Sequence, residues 1–297
     1  MDESMKKLII LLIMLIALML CACNPTADYS IVATTLPVYE FTAEICDGTG
    51  LTIGRMITES VSCLHDYTLQ VNQMRMIEEA DVVVISGAGL EDFLEDALQS
   101  SKLVIDASQN AHTHTGGHTH VHDSHHAQEH THSTDSHIWL SPENAKIMAS
   151  NIAAELVDIY PEHKEVFLQN LASLIQKLDA LQAYGTHQLA DIKNREMITF
   201  HDGFAYFAES FDLHILEAVE EESGSEASAA EIIHLIELVE SHELHAVFVE
   251  RNGSDACAGI ISAETGIPVY TLDMAMSGDS YFEALYHNID TIKEAMG

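Results

Sequence analysis

Positive charge is scarce in this chain. Lys and Arg total 12 against 47 Asp and Glu in 297 residues, a formal net charge of -35 at neutral pH. That balance excludes nucleic acid as a partner, since phosphate recognition needs the opposite sign. It suits a protein that collects cations, and it serves plain solubility equally. Cysteine is sparse too, with Cys46, Cys63 and Cys257 the only three beyond the first 23 residues. Cys46 with Cys63 is the better-placed pair for a disulfide in an oxidising location, because an expected strand between them can bring their ends together. Long apolar runs are absent except for LIILLIMLIALML over residues 8–20, which is too short to span a membrane comfortably. Lysines before it and small residues after it give it the order of a secretory signal over residues 1–22. Leu20-Cys21-Ala22-Cys23 looks like a bacterial lipobox, so Cys23 is expected to become the lipidated first residue of a tether over 23–28, anchored outside the cytoplasm.

Beyond the tether the chain alternates. β-Branched runs at 29–35, 51–57, 82–86 and 102–106 are separated by helical patterns near 37–47, 69–80 and 89–99. Strand-helix alternation predicts a parallel sheet covered on both faces. The same order resumes with strands at 196–201, 213–219, 244–250 and 267–272 and helices at about 203–210, 228–241, 254–265 and 281–296. Between the halves, Ser141-Pro142 opens a helix running to about Tyr160. An apolar set from Val166 to Leu181 at spacings of three and four then marks one long helix within 161–193, which Gly185 has the means to break. The expected fold is α/β: an N-terminal lobe over 29–160 and a C-terminal lobe over 194–297, each a four-stranded, mainly parallel sheet flanked by helices, joined by one long rigid helix. Ligands of such sheets sit beyond the carboxyl ends of the strands, here in the cleft between lobes.

Three histidines lie where such a cleft forms: His65 in SCLHDY, His137 in DSHIWLSP and His201 in TFHDGF, each at a loop or strand end beside an acid. His163, His187, His214, His234, His242, His245 and His287 have no such setting and are expected to be structural or merely exposed. A tract at 112–132 holds nine further histidines, namely His112, His114, His118, His120, His122, His125, His126, His130 and His132, separated by Thr, Gly, Ser and Asp. It has no apolar period, so it is expected to be a mobile loop whose imidazoles bind metal ions weakly and raise their local concentration, or else a plain spacer.

The segments VATTLPVYEFTAEI, HDYTLQ, ADVVVISGAGLEDFL, DSHIWLSPENA, FHDGFAYFAESFDL, LHAVFVE and VYTLDMAMSGDSY, in that order, make the chain similar to the lipoprotein substrate-binding components of bacterial ABC importers for zinc and manganese. The resemblance covers the mature chain almost end to end. It implies two lobes joined by a rigid helix, with a metal ion in the cleft and a membrane permease as partner. Carried over by motif, the ligands are His65, His137, His201 and, in TLDMAM, Asp273, a position that water or a nearby acid fills in some zinc receptors. Cys63 and Leu64 stand where the family often has a proline.

Three imidazoles and a carboxylate suit zinc, whereas a manganese receptor is expected to exchange one imidazole for a carboxylate. The resulting expectation is an extracytoplasmic, monomeric zinc receptor, not an enzyme, that hands Zn2+ to an ABC permease. Its affinity falls as acid protonates the imidazoles, whose reference pKa is about 6.5. A manganese or other divalent-metal receptor is the nearest alternative. A zinc hydrolase is more distant, because no HExxH helix occurs and Glu226 and Glu250 are bases only in the sense that any acid is. A surface adhesin or zinc store is a third.

Overall fold

The eight short β-branched runs pair as two separate sheets. The computed structural model describes residues 29–61, 64, 67–99, 103–114, 134–219 and 227–297. The leader, Cys23 and the tether, together with Cys63, lie outside the described residues. In the first sheet β1 (Ile31–Ala33), β2 (Ile53–Arg55), β3 (Val82–Ile85) and β4 (Val104–Asp106) run parallel in the order β2-β1-β3-β4. In the second, β5 (Glu196–Phe200), β6 (His214–Ala218), β7 (Val247–Glu250) and β8 (Val269–Leu272) run parallel in the order β6-β5-β7-β8. Ile31, Val32 and Ala33 of β1 and Val82, Val83 and Val84 of β3 have no exposed surface. Burial on both faces is what unbroken apolar strands without polar alternation require.

Helices cover these sheets, and most start where local chemistry favours it. Helix α1 (Leu36–Cys46) has Pro37 in its first turn, and α2 (Val71–Glu79) is closed by a reciprocal Gln70–Gln73 capping box. The helix expected over 89–99 is instead a 3-10 turn at Asp92–Leu94 followed by a single α turn, α3 (Glu95–Leu98). The cause is Glu91. Its carboxylate accepts from the Thr34 hydroxyl at 2.6 Å and from the amides of Ser86 and Gly87 at 2.7 and 3.0 Å. These bonds fold residues 86–91 into a loop, with Gly87, Ala88 and Gly89 all at positive φ, so no helix can begin there.

Ser141 caps α4 (Pro142–Ile159), and a 3-10 turn at Pro161–His163 leads into α5 (Lys164–Gln188). At 25 residues α5 is about 37 Å long. It is unbroken at Gly185 and stops short of 193, where the buried Leu189 and Ile192 turn the chain inward and Arg195 donates to the Leu189 carbonyl at 2.7 Å. Beyond it come α6 (Ala205–Ser210), α7 (Ala229–Ser241), α8 (Ala256–Thr265) and α9 (Tyr281–Met296). Helix α5 packs on α1 and α4 of the first half and on α9 of the second.

The main hydrophobic core does not stop at the lobe boundary. It joins Phe41, Trp139 and Phe167 to Phe207, Met274 and Tyr281, while a smaller core around Val247 and Ile261 packs on the second sheet. Polar bonds stitch the same boundary. Trp139 Nε1 donates to the Met274 carbonyl and Tyr281 Oη to the Trp139 carbonyl, both at 2.8 Å, and Arg55 reaches the Gly278 carbonyl at 2.7 Å. Glu40 of α1 accepts from Ser280 Oγ and the Tyr281 amide at the start of α9. Cys46 is a free thiol in this core, and burial pushes its pKa up to about 12.

This packing sets the outcome of two substitutions. A Cβ added at Gly185 would lie 2.2 Å from the Phe211 ring. Alanine raises helix propensity by about 1 kcal/mol, but overpacking a closed core costs about 1–3 kcal/mol, so Gly185→Ala should lower the midpoint of thermal unfolding. A midpoint at or above that of the wild type would contradict the tight helix–ring contact. Glu91 gives the second. Burial, only partly offset by its three hydrogen bonds, pushes its carboxyl from an ordinary 4.5 up to about 7. The folded chain therefore holds this proton more tightly than the unfolded one. The stability gained is present below the unfolded value near 4.5 and is lost as pH rises through about 7. Denaturant titrations over that range should show a shallower decline for Glu91→Gln than for the wild type.

Candidate metal centre

Each sheet has a point where the chain order reverses, between β1 and β3 in the first and between β5 and β7 in the second. Strand ends diverge there and leave room for side chains. Around the second of these points gather His201, the first residue after β5, and Glu250, the last of β7; Asp273, the first residue after β8, lies one strand further along the same edge. His137 approaches from the other half, just ahead of the 3-10 turn Ile138–Leu140 that leads into α4.

His137 and His201 meet through their Nε2 atoms, 3.4 Å apart, with the rings nearly perpendicular at 86°. A carboxylate sets each ring from behind. Asp135 Oδ1 lies 2.8 Å from His137 Nδ1 and also accepts the His137 amide at 2.9 Å. Glu250 Oε2 lies 3.2 Å from His201 Nδ1. With Nδ1–H directed at a carboxylate, the lone pair of each imidazole is on Nε2, facing the other ring. Two nitrogens each about 2.05 Å from a tetrahedral ion stand about 3.35 Å apart, so the pair already has the spacing of two zinc ligands. Both carboxylates are buried, and burial keeps them on the rings and not in water.

Space for this approach comes from Gly203 in HDGF. A Cβ there would lie 2.8 Å from His201 Cδ2, 3.0 Å from His137 Nδ1 and 2.5 Å from the Met274 methyl. Glycine is the residue that lets both rings and Met274 close over one point of backbone.

Asp273 is buried and firmly placed. Its amide and carbonyl are clasped by the Asn288 side chain at 2.7 Å each, its Oδ1 accepts the Ala275 amide at 2.8 Å, and its Oδ2 lies 3.1 Å from Arg251 of the segment after β7. His65 lies outside the described residues. Among the described residues no three His, Cys, Asp or Glu side chains converge as a complete metal site. Among the expected ligands that are described, His137 and His201 are the two brought into contact.

Of the histidine tract, His112 and His114 are described, while His118, His120, His122, His125, His126, His130 and His132 lie outside the described residues. His114 and Asp135, described residues on either side of this stretch, are fastened together. Tyr206 Oη of α6 accepts the His114 amide at 3.0 Å and donates to the Asp135 carbonyl at 2.8 Å, and the Asp135 amide reaches the His114 carbonyl at 3.2 Å. Burial pushes the Tyr206 hydroxyl up to about 12, which keeps its proton available for that donation. His112 is held by a two-way bond with Asn144 on α4, both at 2.9 Å. His114 is therefore held beside Asp135, two residues before His137. Elsewhere His242 pairs with Glu196 at 2.9 Å and His163 packs on the Phe167 ring, in keeping with structural roles.

Paired parallel sheets and one long connecting helix define a two-lobed α/β protein, with an imidazole pair drawn from both halves at the junction. The profile of the ZnuA family, described as zinc-uptake complex component A, periplasmic, matches residues 31–295. The chain belongs to that family. It is 32% identical to the zinc-binding lipoprotein AdcA of Streptococcus pneumoniae over 98% of this chain and 61% of that protein, so it spans about three fifths of that relative's length. Its fold is similar to a crystal structure of ZnuA, with TM-score 0.77, 26% identity and coverage of 91% of this chain and all of that one. It is likewise similar to the Zn(II)-bound ZnuA-like domain of S. pneumoniae AdcA, with TM-score 0.75, 26% identity and coverage of 91% and 99%.

Sequence reasoning did not single out Asp135, Gly203 or Arg251, and Glu250 stood there only as one acid among many. The carboxylate two residues before a candidate ligand in DSH, and the glycine two after another in HDG, are the local signals for two of them. Glu250 and Arg251 have no local signal, because their contacts span 49 and 22 positions. Replacing Gly203 by alanine should drive the two rings apart and weaken zinc binding while leaving the fold intact. Asp135→Asn and Glu250→Gln, which unfix one ring each, should cost about 10–100-fold in zinc affinity. Competition against a chromophoric chelator measures all three, and wild-type affinity in Gly203→Ala would refute the role assigned to the glycine.

Proposed function

We propose that the chain is an extracytoplasmic zinc-binding receptor that delivers the ion to the permease of an ABC importer. The observation that carries this reading is the 3.4 Å approach of His137 Nε2 and His201 Nε2, each backed by its own buried carboxylate. Membership of a zinc-uptake family and the zinc-binding names of its relatives support the same cargo. In this proposal His65 and Asp273 join the pair to make a four-ligand set, and nitrogen-rich coordination favours zinc over manganese, which prefers oxygen.

In this proposal the ion takes His65 and His137 from the first half and His201 and Asp273 from the second, so its binding favours one relative setting of the two halves. A shared core and a stiff α5 keep the movement small, a difference fit for a permease to read by contact. Residues 112–132 serve as auxiliary weak zinc ligands that raise the ion's concentration near the cleft. Cys23, lipidated, holds the receptor at the membrane as a monomer. Membership of a metal-uptake family supports a receptor over an enzyme, with Asp135 and Glu250 each setting an imidazole Nδ1.

The decisive measurement is metal analysis of the purified protein with competition among zinc, manganese, nickel and copper, on the wild type and on His65→Ala, His137→Ala and His201→Ala. One tight zinc equivalent is expected, lost in each variant by more than the carboxylate variants lose. Binding should also weaken on acidification, since protons compete for the same nitrogens. Tight zinc binding that survives His137→Ala and His201→Ala together would overturn the reading.

A further inference from the structure

The second half offers the ion a carboxylate that already has a cationic partner. Asp273 Oδ2 faces the Arg251 guanidinium at 3.1 Å, and its Oδ1 is taken by the Ala275 amide. The backbone around it has little freedom: Asn288 clasps both polar groups of Asp273, Trp139 holds the Met274 carbonyl, and Ala275 sits at φ 55°. Any change in what the carboxylate binds must come from its own side-chain rotation. We propose that Arg251 is a displaceable counter-ion that occupies Asp273 in the metal-free protein and competes with zinc for it. The proposal rests on Asp273 being a ligand.

Three features favour displacement over a permanent ion pair. Asp273 is 6% exposed whereas Arg251 is 50% exposed, so the carboxylate is the group that needs a partner and the guanidinium is the one water can take back. Arg251 also has somewhere to go. A cavity of about 240 Å³ lined by Arg251, Asp273, Asp279, Glu283 and His287 opens beside the pair, and its two further acids can neutralise a released guanidinium. Third, Glu250 and Arg251 are consecutive residues at the end of β7. One sets the His201 ring and the other holds Asp273, so this strand end governs both ligands contributed by the second half. Arginine stays protonated at any relevant pH, so only a competing cation, not a proton leaving the guanidinium, opens the lock.

Zinc affinity of the full chain, measured by chelator competition, tests this on Arg251→Met, Arg251→Lys, Asp273→Asn and the double variant R251M/D273N. A half-exposed pair of this kind corresponds to about a two- to fivefold effect. Arg251→Met should therefore bind zinc about two- to fivefold more tightly, Arg251→Lys should stay near the wild type, and R251M/D273N should match D273N alone. Unfolding midpoints check that the variants fold, with Arg251→Gln as the substitute should methionine disturb the strand end. If Arg251→Met binds no more tightly while Asp273→Asn binds more weakly, the counter-ion proposal fails and Asp273 remains a ligand. If Asp273→Asn binds like the wild type, Asp273 is not a ligand and both ideas fall.

Discussion

Two imidazole nitrogens cannot stand 3.4 Å apart in a folded interior unless something holds the rings in place, and in this protein that something is a buried carboxylate behind each ring. Asp135 and Glu250 fix which nitrogen bears the proton and therefore which nitrogen faces the cleft. The rest of the structure is arranged around that constraint. Glycine at 203 removes the Cβ that would separate the rings. Tyr206 pins the segment that supplies Asp135, and β7 ends at the residue that orients His201.

Repetition of one topology explains why the site has the address it has. Both sheets place their first strand between the second and the third, so each half opens at the carboxyl end of its central strands. A cation held there touches loops, which are free to vary, on strands, which are not. The continuous core through Trp139, Met274 and Tyr281 then makes the two openings parts of one frame. In a frame of that kind small displacements at the ligands are transmitted and not absorbed, because close-packed interiors repack in discrete steps.

The acidic balance of the chain takes on meaning at this site. Carboxylates set both rings of the histidine pair, and in the proposed receptor they also bind the ion and receive displaced positive charge. Arg251 is one of only 12 basic residues in the chain, and the cavity beside it carries the carboxylates of Asp273, Asp279 and Glu283.

Much of this was legible before any coordinates. Eight β-branched runs separated by amphipathic stretches dictate strands and helices through periodicity alone, and their alternation dictates parallel pairing. Even so, the helix expected over 89–99 shrank to a turn because Glu91 bonds backward to Thr34, 57 positions away. His137 and His201 stood out because each lies in a loop beside an acid, and the family motifs named them. Their mutual spacing, and the identity of the carboxylates behind them, did not. The sequence by itself determined secondary structure and the residue types available for chemistry, since both depend on neighbours within a few positions. Only the tertiary structure decided which acid orients which imidazole and that Arg251 holds Asp273. Those contacts join residues that chain order leaves unrelated, and short-range forces act only on groups that folding has already brought together.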